Sequence, residues 1–124
     1  MARRILVDMS LTTLHHGHVR LLKKASDLGR VIIALVTDDE VYRTKGFYPV
    51  LKFEYRKEIA LSIKYVDEVI AGPWLVDDAY LDEHNIDFLV HGDDNQNPVS
   101  RERLVIFPRT EGISSSLIRK ENQG

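Results

Sequence analysis

The chain has 124 residues, 44% of them hydrophobic, which suffices for a single domain over 1–124 and leaves little room for a second. Its 17 basic and 19 acidic residues give a formal charge of -2 and are spread along the chain, without the basic stripe that nucleic acid or an anionic membrane would require. Cysteine is absent, which excludes disulfides and thiolate metal sites, and no apolar stretch approaches the roughly 18 residues that span a bilayer. The opening MARRILVDMS lacks the apolar run and small-residue cleavage site of a secretory signal, so the expected setting is the cytoplasm, with no membrane insertion and no nucleic-acid partner.

Taken in chain order, Ile5-Leu6-Val7 is a short apolar run that reads as a buried strand. Val19, Leu21, Leu22, Ala25 and Leu28 then recur at helical spacing, and Gly29 stands where a C-terminal glycine would close that helix. Residues 31–36 give a second strand, 38–56 read as a loop, and Ile59, Ala60 and Ile63 mark a second helix. A strand at 66–70, a helix at about 76–83 and strands at 88–90 and 104–107 follow, with a short helix ending Leu117-Ile118-Arg119-Lys120. Alternation of this kind predicts an α/β domain of about five mostly parallel strands with helices on both faces.

In such a sheet a ligand sits beyond the carboxyl ends of the strands, near the point where the strand order reverses. Two segments there carry chemistry. His15-His16-Gly17-His18 lies between the first strand and the first helix, and two histidines three apart can both face a ligand beside the N–H groups of the first turn. His15 and His18 would then stabilise charge developing on a phosphorus centre, while His16 points elsewhere. A metal pair, or histidines that cap and pack, are the alternatives. Pro108 to Ser116 places Arg109 and the consecutive hydroxyls Ser114, Ser115 and Ser116 at the start of the last helix, where they suit phosphate oxygens; an ordinary helix cap beside a solvated arginine is the other reading.

Together these residues resemble the cytidylyltransferase family with an HxGH signature, above all the bacterial glycerol-3-phosphate cytidylyltransferases and more distantly the enzymes for phosphocholine and phosphoethanolamine. The resemblance runs through His15 to His18, Tyr65 to Ile70, His84 to Asp87, Gly92-Asp93-Asp94 and Arg109 to Ser114. It implies a Rossmann-like nucleotidyltransferase fold and attack by a substrate phosphate on the α-phosphorus of CTP, with pyrophosphate leaving and no covalent enzyme intermediate. It also implies roles. His15, His18 and Lys45 act at the phosphates. Ser10, Leu11, Gly17, Asp94, Arg109, Thr110, Gly112, Ile113, Ser114 and Ser115 hold the nucleotide. Lys45, Arg56 and Trp74 meet the second substrate. Mg²⁺ accompanies CTP, the protein supplies no dedicated metal ligands, and the chain forms a homodimer.

Each of these has a plainer counterpart: a solvated lysine at 45, a surface ion pair at Arg56, a packing tryptophan at 74, a turn residue at Asp93, and packing rather than ligand contact at His91. The sequence also departs from the family. Met9, Ser10, Leu11 and Thr12 stand where G-T-F-D is usual, which removes a glycine and an aspartate. Only residues 95–107 connect Asp94 to Pro108, so that crossover must be a clipped helix or a bare loop. Use of ATP, a phosphonate acceptor, or binding without turnover are the alternatives those departures leave open.

Overall fold

The structure, a computed structural model, describes residues 2–108. The expected last helix and Arg109, Thr110, Gly112, Ile113, Ser114 and Ser115 lie outside the described residues. The elements are β1 (Arg4–Met9), α1 (His16–Ser26), β2 (Arg30–Val36), α2 (Asp38–Lys45), α3 (Phe53–Leu61), β3 (Glu68–Gly72), α4 (Asp78–Glu83), β4 (Phe88–Gly92), a 3-10 turn (Arg101–Arg103) and β5 (Leu104–Phe107). All five strands pair in parallel, in the order β3-β2-β1-β4-β5.

Alternation along the strands builds two cores. Ile5, Val7 and Met9 of β1 face one side with Leu22 and Ala25 of α1 and Ala60 of α3. Leu6 faces the other with Ile32, Ala34, Leu89 and Leu81 of α4. The expected three-layer α/β arrangement is therefore present, with every strand parallel. The order runs outward from β1 through β2 to β3, then returns to β4, so the reversal falls between β1 and β4.

Several local expectations are corrected. The loop expected at 38–56 opens with a helix, α2. Thr37 caps it by accepting from the Glu40 amide at 3.3 Å, Asp38, Asp39 and Glu40 fill its first turn, and Gly46 closes it in the left-handed region at φ 82°. Only Val41 of that helix is buried, so no apolar stripe announced it. Gly29 does not cap α1, whose C-cap is Asp27 in ordinary helical geometry. Gly29 is required by close approach: a Cβ there would lie 2.3 Å from the Arg3 carbonyl oxygen. The α4 helix begins at Asp78 rather than near Val76, because the Val76 amide donates to Asn97 Oδ1 at 2.7 Å. The third strand starts two residues later than its apolar run, at Glu68. Between β4 and β5 the short crossover is a loop with a single 3-10 turn.

Candidate active site

At the β1–β4 reversal a cleft of about 680 Å³ opens at the carboxyl edge of the sheet, a size suited to a small-molecule ligand. It has two chemically different ends.

One end is the mouth of α1. His15 is the N-cap, with extended backbone at φ -143°, and its Nδ1 accepts from the Gly17 amide at 3.0 Å. His18 Nδ1 in turn accepts from the His15 amide at 3.2 Å. The two imidazoles replace the hydroxyl and carboxylate of an ordinary capping box, and their rings stack with centroids 4.0 Å apart. Burial pushes both below the usual histidine range, His18 to about 4, with His16 adding to the effect on His15 and His15 adding to that on His18. His15, Gly17 and His18 all line the cleft, followed along α1 by Arg20 and Lys24. Among the described residues the wall does not include His16, which is exposed as expected. One expectation is revised: of the first-turn N–H groups expected to be exposed, that of Gly17 donates to His15 Nδ1 and that of His18 to the His15 carbonyl.

The other end is assembled from the tips of β1 and β4 on the α4 side of the sheet. Asp8 there is almost wholly buried. Its Oδ2 accepts from Asn97 Nδ2 at 3.1 Å, while its Oδ1, also buried, has no hydrogen-bond partner and lies 3.6 Å from His91 Nε2. That distance is too long for a hydrogen bond. Burial pushes the Asp8 carboxyl up, opposed by the nearby His91 ring and the Asn97 bond. His91 Nδ1 stands 3.4 Å from Asp94 Oδ1, so the imidazole sits between two carboxylates. Asp8, His91, Asp94 and Asn97 all line the cleft.

The remaining expected residues divide. Ser10 and Thr12 line the cleft with their hydroxyls 3.3 Å apart. Lys45 and Trp74 line it together, the Lys45 ammonium 5.2 Å from the centre of the indole ring, close enough for a cation–π contact. Leu11 does not contribute its side chain, which belongs to the core on the α1 side. Its backbone takes φ 54°, a left-handed turn at a non-glycine residue that sends Leu11 inward between cleft-facing neighbours. Arg56 is corrected more sharply: it is fully buried and takes no part in the cleft wall. Its guanidinium donates to the carbonyls of Leu51 (3.0 Å), Ser10 (2.7 Å) and Val36 (2.8 Å) and to Asp38 Oδ1 (2.6 Å). Hydrogen bonds to a charged group are worth about 1.5–3 kcal/mol each, so Arg56 braces the loops after β1 and β2 and is not open to a phosphate.

Three residues of the cleft wall are not singled out as such by the sequence. Asp8 closes an apolar run, Asn97 sits in a featureless loop, and His91 was assigned to packing. The available signal was alternation: in β1, Asp8 falls on the face of Leu6, at the strand end where ligands bind.

Comparison with known proteins identifies the family and the fold. The cytidylyltransferase-like family profile matches residues 13–121. The chain is 34% identical over 127 residues to the glycerol-3-phosphate cytidylyltransferase of Bacillus subtilis, covering 98% of each. It is 38% identical over 125 residues to the ethanolamine-phosphate cytidylyltransferase of Dictyostelium discoideum, covering 91% of this chain and 34% of that protein. A lipopolysaccharide core biosynthesis protein from Thermoplasma volcanium shares the fold, with a TM-score of 0.73 at 20% identity over 90% of this chain and all of that one. With the profile spanning most of its length, and with relatives matched from end to end, this chain belongs to the cytidylyltransferase-like family.

Proposed function

We propose that the chain transfers CMP from CTP to a small phosphorylated alcohol of the glycerol 3-phosphate kind and releases pyrophosphate. The observation that carries this reading is the polarity of the cleft. Its α1 end offers imidazoles, Arg20 and Lys24 to phosphates, and its β1–β4 end carries the Asp8 and Asp94 carboxylates on either side of His91. A phosphoalcohol has the same polarity, charge at one end and hydrogen-bond donors at the other. A second anion at the Asp8 end would face two carboxylates.

In the reaction an acceptor phosphate oxygen forms a bond to the α-phosphorus of CTP as the bond to the β-phosphate oxygen breaks, and pyrophosphate leaves with that electron pair. His15 and His18 donate hydrogen bonds to the oxygens on which charge grows, and Lys45, beside Trp74 on the cleft wall, adds positive charge. Arg109, Thr110, Gly112, Ile113, Ser114 and Ser115 complete the nucleotide side in this reading. In this reading Mg²⁺ accompanies CTP as part of the substrate, because magnesium prefers phosphate oxygens and water to a full protein cage. The cytoplasm and a homodimer belong to the same reading; no helix among the described residues is long and apolar enough to cross a membrane.

The test is pyrophosphate release from CTP and Mg²⁺ with glycerol 3-phosphate, ethanolamine phosphate, choline phosphate, a small hydroxyalkyl phosphonate, and methyl phosphate as an acceptor without a donor group. Acceptors bearing a hydroxyl or amine should exceed methyl phosphate, and CTP should exceed ATP. Silence with every acceptor and each of the four nucleoside triphosphates would overturn the reading.

A further inference from the structure

The backbone of α1 constrains its two cleft histidines more tightly than their positions alone require. A backbone amide can only donate, so a ring nitrogen that accepts from one carries no proton. His15 Nδ1 accepts from the Gly17 amide and His18 Nδ1 from the His15 amide. In each ring the proton is left to Nε2, the nitrogen the cap does not use. We propose that α1 fixes His15 and His18 as neutral imidazoles protonated on Nε2, so that both meet a substrate phosphate as uncharged hydrogen-bond donors. The proposal rests on the cytidylyl-transfer reading for the identity of the phosphate, and on the cap geometry alone for the state of the rings.

Three features oppose an imidazolium. Protonating either Nδ1 would break a cap bond and set two N–H groups against each other. The rings are stacked 4.0 Å apart, so a charge on one raises the cost of a charge on the other. Burial also lowers both histidines, His18 to about 4. Among the described residues, the other charged and titratable groups facing the cleft are Arg20 and Lys24 on α1, Lys45 on α2, Asp8 on β1, and His91 and Asp94 at the end of β4. His16 adds its influence from the start of α1. Among the described residues, positive charge for the triphosphate then comes from Arg20, Lys24 and Lys45, while the histidines contribute directed N–H groups whose ring orientation is set before substrate arrives.

The proposal is read first on the free, ¹⁵N-labelled full-length protein at pH 7 by long-range ¹H–¹⁵N correlation of the imidazoles. His15 and His18 should each show an unprotonated Nδ1 and a protonated Nε2. An imidazolium, or an Nδ1-protonated ring at either position, overturns it whatever the enzyme's activity. The second reading separates cap from donor. Asparagine caps helices well, so His15→Asn should keep the melting temperature near that of the parent, while His15→Ala should lose about 4 °C. Both should lower turnover by on the order of 10² because both lack the Nε2 donor. Turnover retained in His15→Asn would overturn the donor role. A protein inactive with every nucleotide would instead sink the cytidylyl-transfer reading and leave the ring assignments to stand or fall by the spectra.

Discussion

The two ends of the cleft are built in opposite ways. At the α1 mouth the two cleft histidines lie within four consecutive residues, 15–18, and both also finish the helix, since each imidazole satisfies a backbone amide. At the β1–β4 end Asp8 meets Asn97 from 89 positions away, and burial leaves its Oδ1 without a partner. The first end is consistent with folding because function and capping use the same groups. The second opposes folding, because a buried acceptor without a hydrogen bond costs roughly 1–3 kcal/mol, which the nearby His91 ring offsets only in part. Side chains that cap are therefore expected to lose stability and activity together when removed, whereas the buried carboxylate should trade one for the other.

The largest effect that would test this contrast is at His18. Replacement by alanine removes a preorganised donor and one half of the reciprocal cap, and turnover should fall by on the order of 10² to 10³ with CTP affinity changed less. Steady-state kinetics with CTP varied at saturating acceptor give both quantities, and the melting temperature should fall as well. A folded variant with parental turnover would remove His18 from the chemistry. A higher Michaelis constant with intact turnover would instead give it uniform binding.

At the other end Asp8→Asn should move activity and stability in opposite directions. With Asn97 donating to one oxygen, the new amide keeps its carbonyl there and turns its NH₂ towards His91, replacing an acceptor by a donor at this end of the cleft. Loss of a hydrogen bond to a charged group is worth about 1.5–3 kcal/mol, hence roughly 10- to 100-fold in kcat/KM for a hydroxyl- or amine-bearing acceptor. CTP binding should change little. The melting temperature at pH 7 should rise, because the ionised carboxylate that burial penalises is gone. A fall in both would make Asp8 an ordinary structural residue.

The same contrast explains what could be read from the sequence. The α1 end was legible because a helix start and a phosphate site draw on the same local pattern, and His15, Gly17 and His18 stand in a row. Alternation of apolar runs and helical spacing was equally local, and it yielded the parallel sheet. Arg56 was misassigned because an arginine opening a helix has one appearance in sequence whether it meets a phosphate or three carbonyls and Asp38 from separate loops. Asp8 and His91 were illegible for a related reason. Their proximity is created by β1–β4 pairing, in which Val7 aligns with Val90, so neither has the other nearby in the chain. The α2 helix was lost because its signals are caps and charge rather than a buried stripe.

The smallest effect, and the finest division between the two ends, is the sign of their pH dependence. His18 is held at about 4 in the folded chain against an ordinary 6.5, with burial the main cause. Between those values the unfolded chain binds more protons, so this group withdraws stability as pH falls from 6.5 towards 4. Asp8 is raised above 3.8 in the fold. There the folded chain holds the proton more tightly, so Asp8 adds stability as pH falls through its folded value and loses it as pH rises. Urea unfolding of the parent, His18→Gln and Asp8→Asn across pH 4 to 7 isolates each group as a difference curve, in which the other titrating residues largely cancel. Parent minus His18→Gln should decline on acidification, and parent minus Asp8→Asn should climb. Difference curves of the same sign would mean that the two ends do not differ in the way their burial and hydrogen bonding imply.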